Sequence, residues 1–367
     1  MKVCHLTSVH IPFDTRIFYK ECMSLHRAGH EVHLIAPWES DETVEGIFLH
    51  GIRPRTGKLR RILFTPVSVL KKALSINAGI YHFHDPELIP AGVILRFLGK
   101  KVIYDVHEDY PATMPTKKFI PSLLRPLAGW LIGLLERATS GWFTAVVVVT
   151  PSILERFCRF TGNVTAVHNF PLVTDRHIPS WENRSNSVCY IGSIAVNRGA
   201  REMVSAIGIA RSNREATLAI AGNFTTEILE DEITGHLKKS GVDYRGFLDR
   251  GEVDLLMDES KAGLVLLHPE PRYMVSLPNK LFEYMAAGLP VIASDFPLWR
   301  SIIERESCGL VVNPLDPEEV AQAICRLLDN PEEAQAMGHR GRAAIEREYR
   351  WECEEKKLLK LYEEHSP

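Results

Sequence analysis

Short apolar runs alternate with amphipathic stretches along the first half of the chain. Several of these runs are continuously apolar instead of alternating with polar residues, most clearly AVVVV at 145–149. A strand with this pattern is buried on both faces, as in a parallel sheet that helices cover on either side. The pattern predicts strands at residues 3–9, 31–36, 47–52, 80–84, 101–106, 145–150 and 164–168.

The same alternation begins again in the second half. It predicts strands at 187–194, 217–221, 242–248, 263–268, 290–294 and 309–313, with helices at 198–211 and 279–287. Strands that alternate with helices indicate an α/β architecture with parallel sheets. We therefore expect two Rossmann-like, doubly wound domains that face each other across a cleft, with ligands at the carboxyl ends of the strands.

A stretch rich in proline, asparagine and charge separates the two patterns. It predicts an N-terminal domain at 1–170, a linker at 171–185 and a C-terminal domain at 186–345. The remaining segment, 346–367, is strongly helical and charged, and we expect it to pack back toward the N-terminal domain.

Composition narrows the class of protein. Of 367 residues, 45% are hydrophobic and 24% are charged, which is a globular composition, and a net charge of −3 argues against nucleic acid as a partner. The seven cysteines are scattered and form no CxxC pair, so we expect reduced thiols in a reducing, cytoplasmic compartment. The N-terminus shows no signal-peptide pattern, and the longest apolar stretch, 130–149, is interrupted by Glu136 and Arg137.

The segment SLPNKLFEYMAAGLPVIAS at 276–294 carries the most informative chemistry. Pro278 favours a helix start there, where free N–H groups and the helix dipole attract an anion, and Lys280 adds a positive charge in the same turn. Glu283 lies one turn further on the face shared with Asn279 and Lys280, where its carboxylate can accept hydrogen bonds from a ribose diol. The alternative is an ordinary Lys–Glu pair on a surface helix.

This segment resembles the donor-binding signature of the retaining GT-B glycosyltransferases of family 4, also called group 1. The resemblance extends over essentially the whole chain and is stronger in the C-terminal half. It implies that Glu283 binds the nucleotide ribose and that N–H groups near Lys280 and Leu281 bind the diphosphate. It further implies a nucleotide-diphosphate sugar as donor, retention of anomeric configuration, no metal and no cofactor.

A second match is the loop CYIGSIAVNRG at 189–199. Relatives show Gly-Arg and then Lys-Gly here. In this chain Gly192 is kept, Ser193 replaces the arginine, and Arg198 stands at the lysine position, where a guanidinium can hold phosphate. Relatives also carry a glutamate eight positions before the ribose-binding one, where this chain has Val275. The resemblance makes Arg198 and Lys280 the groups that stabilise the leaving diphosphate.

In the N-terminal half, His107 follows a predicted strand at the position where relatives place an active-site histidine beside the donor sugar. The alternative is a loop histidine paired with Glu108 or Asp109. His82 and His84 alternate onto one strand face, which fits either a metal pair or a polar wall of the cleft.

Further candidates on the acceptor side are loop residues that follow predicted strands. Relatives often place a glycine-rich loop after the first strand, and this chain instead has Asp14 and Arg16, although Asp14 is equally placed to cap the next helix. The acceptor-side candidates are Asp14, Arg16, His84, Asp85 and Glu108.

The acceptor is expected to be a glycan or a lipid-linked molecule, as in the assembly of surface polysaccharides. Two apolar stretches with basic residues, 57–64 and 121–135, fit either core packing or peripheral contact with an anionic membrane. Two other functions stay open: a nucleotide-sugar-binding partner that has lost catalysis, and a nucleotide-sugar epimerase on the same fold. A dinucleotide oxidoreductase is disfavoured, because no G-x-G-x-x-G follows the first strand.

Overall fold

The computed structural model of the chain describes residues 1–53, 57–117, 120–173, 178–212, 214–235 and 241–366. The chain forms two compact units, which we call the first unit, Met1–Asn169 with Trp351–Pro367, and the second unit, Phe170–Arg350. Of the predicted linker, 171–185, residues 174–177 lie outside the described residues and the others belong to the second unit.

The first unit is built on an eight-stranded sheet. Its strands in chain order are β1 Lys2–Leu6, β2 Glu31–Pro37, β3 Glu42–Val44, β4 Ile47–Ile52, β5 Ile80–Phe83, β6 Lys101–Val106, β7 Ala145–Val148 and β8 Val164–Ala166. They are ordered β3-β4-β2-β1-β5-β6-β7-β8 across the sheet, and every pairing is parallel except β3 with β4.

The second unit holds a six-stranded parallel sheet. Its strands are β9 Ser187–Ile191, β10 Thr217–Ala221, β11 Val242–Tyr244, β12 Ala262–Val265, β13 Val291–Ser294 and β14 Gly309–Val312. Their order is β11-β10-β9-β12-β13-β14. Together the two sheets confirm the predicted α/β class and the two Rossmann-like domains.

Helices connect the strands within each unit. Those of the first unit are α1 Met23–Arg27, α2 Lys58–Ile76, α3 Ile89–Phe97, α4 Tyr110–Thr113, α5 Arg125–Ser140 and α6 Pro151–Cys158. Those of the second unit are α7 Ala200–Ala210, α8 Glu227–Thr234, α9 Arg250–Glu259, α10 Pro271–Met274, α11 Asn279–Ala286, α12 Pro297–Glu306, α13 Pro317–Asp329 and α14 Pro331–Arg347. The last helix, α15 Trp351–Glu364, belongs to the first unit, where the buried Trp351 indole donates to Ser24 Oγ at 2.9 Å.

The predicted strands are real, but many are shorter at their carboxyl ends. Residues 7–9, 84 and 192–194 fall within the predicted strands, yet they leave the ladder and form loops. The short polar strand β3 escaped prediction because it is an antiparallel edge without an apolar run. The helix that Asp14 was placed to cap begins with π-type turns at Thr15–Cys22 and continues as α1.

Each sheet has a point where the chain changes its direction of travel. In the first sheet β1 lies between β2 and β5, and in the second β9 lies between β10 and β12. Loops that leave such neighbouring strands diverge and open a crevice at the carboxyl edge, where ligands of this architecture bind. The loops after β1, β5 and β6 and those after β9 and β12 are therefore the places to look for chemistry.

Candidate functional site

In the second unit, glycines bring the loops after β9 and β10 into close contact. Gly192 and Gly222 follow the two strands with φ of +127° and +133°, a region that favours glycine. The Gly192 amide donates to Ala221 O at 2.7 Å, and a Cβ on Gly222 would lie 2.2 Å from Gly192 O. The loop after β9 is thus held as bare backbone.

The side chain of Lys280 lies against this bare backbone. A Cβ on Gly192 would come within 2.7 Å of Lys280 Nζ, so the glycine is what leaves room for the ammonium. The same Nζ lies 4.8 Å from the ring centre of Tyr190, a cation–π distance. Lys280 therefore joins the start of α11 to the end of β9. Both parts were assigned to donor binding from the sequence, and that role stays a prediction.

Positive charge is concentrated at this point. Burial, together with the neighbouring Arg198 guanidinium, lowers the pKa of Lys280 to about 8, while Glu283 acts in the opposite direction. Burial raises the pKa of Tyr190 to about 12, although the positive charge of Arg198 acts to lower it. The Tyr190 hydroxyl donates to Ser193 O at 2.7 Å. Two cations that repel each other inside a half-buried site are arranged to receive an anion.

Helix α11 starts without a side-chain cap. Pro278 occupies the N-cap position, one residue before the first helical turn in which proline is favoured. Its side chain offers no hydrogen bond to cap the helix. The Leu281 amide, predicted to bind diphosphate, donates to Pro278 O at 3.1 Å, while Asn279 is exposed at the helix start. Glu283 is partly exposed on the same helix and accepts from Arg250 Nη1 at 3.4 Å.

A polar network lies beside the helix start, near the position where relatives carry the additional glutamate. The Asn197 amide donates to Glu270 Oε1 at 2.9 Å and to the Tyr273 hydroxyl at 3.3 Å. Arg272 donates to both Glu270, at 2.8 Å, and Tyr273, at 3.0 Å. Val275 itself is exposed and brings no charge. The loops after β9 and β12 are thus tied together by Glu270 instead of by a residue at 275.

In the first unit, a buried ion cluster lies beneath the carboxyl edge of the sheet. Arg16 is 4% exposed and donates to both oxygens of Asp105, from Nε at 3.0 Å and Nη2 at 3.1 Å. Its Nε also lies 3.0 Å from Glu21 Oε1, and its Nη1 donates to Val167 O. Burial raises the pKa of Glu21. Burial acts in the same direction on Asp105, but the charge of Arg16 together with the neighbouring His107 and His84 lowers the pKa of Asp105. Arg16, predicted on the acceptor side, is engaged inside the unit, and its acceptor role stays a prediction.

Four histidines and a tyrosine continue from this cluster. His5 Nδ1 lies 3.0 Å from His84 Nε2, and the Tyr362 hydroxyl lies 2.8 Å from His82 Nδ1 and 3.3 Å from His5 Nε2. The rings of His82 and His84 stack at 4.9 Å, which confirms that they share one strand face. Burial lowers the pKa of His5 and His82 well below the ordinary value and that of His84 to about 4, so all three are neutral at pH 7.

His107 lies at the outer end of this chain of rings. Its Nε2 is 3.0 Å from Asp105 Oδ2 and 3.1 Å from His84 Nδ1. The alternative partners suggested by the sequence are wrong, because Glu108 pairs with Lys117 at 3.0 Å and Asp109 with Arg156 at 3.5 Å. Glu108 is exposed, which leaves its acceptor-side role a prediction.

Asp14 and Asp85 shape the loop after β1. Asp14 caps the following turn by accepting from the Arg16 and Ile17 amides, and it lies 3.2 Å from His10 Nδ1. Burial opposes the effect, yet these hydrogen bonds lower the pKa of Asp14. Asp85 Oδ2 accepts from Thr7 Oγ1 at 2.8 Å and the Ser8 amide at 2.6 Å. Both carboxylates hold backbone, and their contact with an acceptor stays a prediction.

Four buried groups in the first unit bring possible metal-binding atoms within 4.8 Å of one another, namely Glu21, His82, His84 and Asp105. Arg16 Nε already contacts both carboxyl groups, and His84 Nε2 faces His5. A divalent cation would have to displace these contacts. The sequence-based expectation of a chain without a metal stays a prediction.

Several participants were invisible in the sequence. Arg250 carries no motif signal, and Tyr190 lies in the matched loop at 189–199 without a role assigned to it. Tyr362 is 0% exposed but about 280 residues distant from the histidine it contacts. Asp105 did carry a signal, since an ionisable residue in a continuously apolar strand is buried and needs a partner. His5, in the apolar run of β1, carried the same signal.

Both halves of the chain match known families. Residues 185–330 match the model described as glycosyl transferases group 1, and residues 15–170 match that of glycosyltransferase family 4. The glycogen synthase of Mycobacterium tuberculosis (strain CDC 1551 / Oshkosh) is 24% identical over 61% of this chain. That match spans 57% of the glycogen synthase, so the chain covers little more than half the length of this relative.

Solved structures resemble the chain over nearly its whole length. Anabaena Alr3699/HepE in complex with UDP-glucose has a TM-score of 0.73 at 13% identity, covering 99% of this chain and 100% of that one. WaaG, a glycosyltransferase involved in lipopolysaccharide biosynthesis, has a TM-score of 0.72 at 16% identity, covering 98% and 99%. These likenesses, with the two parallel sheets, show the GT-B fold.

Proposed function

We propose that this chain, which has the GT-B fold and carries a glycosyltransferase family 4 domain followed by a group 1 domain, transfers a sugar from a nucleotide-diphosphate sugar to a glycan or lipid-linked acceptor. The observation that carries the proposal is the position of Lys280. Its ammonium meets bare backbone at Gly192 beside Arg198, at the carboxyl end of β9. A diphosphate is the anion that this pair of cations and an uncapped helix start suit best.

The residue roles follow the polarity of the site. Arg198 and Lys280 stabilise the negative charge that grows on the leaving diphosphate, and the start of α11 at Asn279 adds its N–H groups. Glu283, one turn along, binds the ribose hydroxyls. His107 contacts the sugar, as the family resemblance implies. The carbonyl of Ser193 accepts a hydrogen bond from Tyr190, and its side chain carries no charge. The positive charge of the loop after β9 therefore comes from Arg198.

Retention of anomeric configuration and independence of metal ions belong to the same proposal. The acceptor hydroxyl attacks the anomeric carbon from the same face of the sugar that the diphosphate leaves. The site holds the sugar in place while the diphosphate leaves and the acceptor attacks. Support for working without a metal comes from the two cations, which supply the charge that a divalent ion supplies to a diphosphate elsewhere. Cofactors have no part in the reaction.

Assembly of a surface polysaccharide or another glycoconjugate is the proposed pathway, on the cytoplasmic face of a membrane. One structural neighbour, WaaG, is described as involved in lipopolysaccharide biosynthesis. Among the described residues, no helix is long and apolar enough to cross a bilayer.

Support for peripheral membrane contact comes from an apolar surface of the first unit. Helix α3 touches both α2 and α5, and all three expose large hydrophobic side chains. On α5 and the turn before it, Leu123 is 92% exposed and Trp130 61%. We call this surface the apolar face; its members include Leu63, Phe64, Val67, Phe97, Leu98, Leu123, Leu127, Trp130, Leu131 and Leu134. A surface of this extent on a folded chain indicates an interaction partner, and a bilayer suits a lipid-linked acceptor.

The function is tested by incubating the full chain with a panel of UDP- and GDP-sugars. We expect thermal stabilisation by the cognate donor and, with a lipid-linked glycan acceptor, release of the nucleoside diphosphate and a product whose anomeric configuration equals that of the donor. Turnover is expected to survive excess EDTA. Donor binding without any turnover would favour a catalytically inactive partner, and an isomerised nucleotide sugar in the absence of acceptor would favour an epimerase.

Membrane contact is expected to depend on the apolar face. The double variant Trp130→Glu/Leu134→Glu places two charges on its exposed positions, so we expect at least ~10-fold weaker binding to vesicles of phosphatidylglycerol and phosphatidylcholine. Co-sedimentation at low salt measures the bound fraction. The matched control is Ile228→Glu, which charges a 78% exposed isoleucine on the second unit. Equal binding by all variants, or none by the unmodified chain, rules out this surface as the contact.

A further inference from the structure

Buried polar groups of the first unit form a connected network that ends at one partly exposed ring, that of His107. Asp105, His84, His5, Tyr362 and His82 form an unbroken series of short contacts. Every one of these side chains is 0% exposed. A network of this kind fixes the orientation and the hydrogen positions of its members.

The hydrogen positions follow from Asp105. An ionised carboxylate only accepts hydrogen bonds, so His107 Nε2, at 3.0 Å from Asp105 Oδ2, carries the hydrogen. In its neutral form, the His107 ring has this single N–H, which leaves Nδ1 as a bare acceptor. His84 Nδ1, at 3.3 Å from the same oxygen, donates in the same way, and its Nε2 then accepts from His5 Nδ1.

The rest of the series agrees with this direction. The ring hydrogen of His5 is on Nδ1, so its Nε2 accepts a hydrogen bond from the Tyr362 hydroxyl. The Tyr362 oxygen in turn accepts from His82 Nδ1. His82 Nε2 then ends the series as an acceptor, and among the described residues it has no partner. The opposite direction would end the series on an unpartnered buried N–H, which folded proteins avoid more strictly than an unpartnered acceptor.

We infer that Asp105 is a positioning residue that holds His107 as its Nε2–H tautomer. His107 Nδ1 is then the atom that accepts a hydrogen bond from a substrate hydroxyl, a role that rests on the proposed function. Arg16 fixes Asp105 through both carboxylate oxygens, and His84 Nδ1 donates to the same Asp105 oxygen as His107 Nε2. The other polar neighbours are His10, whose ring centre lies 5.1 Å from that of His107, and Asp85, 3.7 Å from His10 Nε2.

The first experiment reads the tautomer without any assay of activity. The full chain is labelled with ¹⁵N-histidine, and His107 is assigned by the signals that disappear in His107→Gln. We expect its Nδ1 to show the shift of an unprotonated nitrogen and its Nε2 that of a protonated one. In Asp105→Asn the amide can donate to Nε2, so the pattern is expected to reverse. A bare Nε2 in the unmodified chain overturns the inference whatever the reaction is.

A second experiment stays informative if Asp105→Asn does not fold. Asparagine places its amide oxygen near the position of imidazole Nδ1, whereas glutamine reaches only the position of Nε2. We therefore expect His107→Asn to keep kcat/KM within about 10-fold of the unmodified chain and His107→Gln to lose roughly 100-fold, mostly in kcat. The inference is overturned if His107→Gln keeps more activity than His107→Asn. If no chain, including the unmodified one, turns over the donor while His107 shows the Nε2–H tautomer, only the proposed function is overturned.

The matched control is Glu136→Gln. Glu136 is also a fully buried carboxylate of the first unit, and it accepts from Tyr104 at 2.9 Å and Arg156 at 2.7 Å, away from the histidine series. We expect this variant to lose stability without changing the His107 signals. A change of tautomer in Glu136→Gln would show that the signals report on general loosening, which overturns the role of Asp105.

Discussion

Replacing Lys280 by alanine is expected to lower kcat/KM for the nucleotide-sugar donor by about 100- to 1,000-fold. The ammonium lies against the Gly192 backbone in a half-buried position, where its charge is screened less than on the surface. Loss of one preorganised charge of this kind typically costs about 3 kcal/mol of transition-state stabilisation. Purified chains are compared by initial rates of nucleoside diphosphate release, with thermal unfolding as the check on folding.

The pH dependence identifies the lysine as the group responsible. Its pKa of about 8 means that the ammonium is present below that pH and is lost as the pH rises through it, so affinity for UDP or GDP falls above about pH 8. The stability of the free chain moves in the opposite direction. Because the pKa is lowered relative to the unfolded value of 10.5, the unfolded state binds more protons between these two values, and stability rises with pH across that window.

Lys280→Arg is the matched variant for this dependence. A guanidinium stays charged over the whole range, so the fall in nucleotide affinity above pH 8 is expected to vanish even if the affinity at pH 7 is reduced. Calorimetric titrations at pH 7 and pH 9 measure both effects. A fall in affinity that persists in the arginine variant would assign the titration to another group and remove Lys280 from the diphosphate site.

The sequence predicted the sheets well because burial on both faces leaves a plain record. A strand such as β7, with Ala145–Val148 buried throughout, has no polar position at which a different structure could start. The carboxyl ends were harder, since Ile194 is as apolar as the strand before it and is buried as well, but in the turn after Gly192. The difference lies in the backbone angle of one glycine, which hydrophobic pattern does not encode.

The second-unit site was predicted in its parts but not in its contacts. Gly192, Arg198 and Lys280 stood out because of their chemistry and their place after strands. That the lysine crosses over Gly192 and Tyr190 depends on the pairing of β9 with β12, which no local pattern reports. The exposed valine at 275 left the sugar-facing side open, and the Glu270 network is what the fold places beside it.

The first-unit site was predicted least. His107 was found by its position, yet its partners are Asp105 and His84 instead of its sequence neighbours. Tyr362 reaches the same cluster from the last helix, because α15 packs within the first unit. Long-range pairing of this kind follows from tertiary contacts, so a single sequence shows that Asp105 needs a partner without showing which one.

A second large effect is expected from Gly192→Ala, which tests the loop instead of the charge. Its φ of +127° is a region that side chains rarely adopt, and the new Cβ would lie 2.7 Å from Lys280 Nζ. Because the flexible end of the lysine yields more easily than the backbone, we expect the ammonium to be displaced and donor kcat/KM to fall roughly 10- to 100-fold. Backbone strain of about 1–3 kcal/mol is expected to lower Tm by several degrees as well.

Gly208→Ala separates the two consequences of adding a methyl group. Gly208 lies inside α7 with no atom within 4 Å of its Cβ position, so alanine is expected to stabilise the helix by up to about 1 kcal/mol and to leave donor turnover unchanged. If Gly192→Ala keeps full donor affinity while it loses stability, the contact between the lysine and the loop is structural. If the donor affinity of Gly192→Ala falls by more than its loss of stability accounts for, the bare backbone at 192 is what places the cation where a diphosphate can reach it.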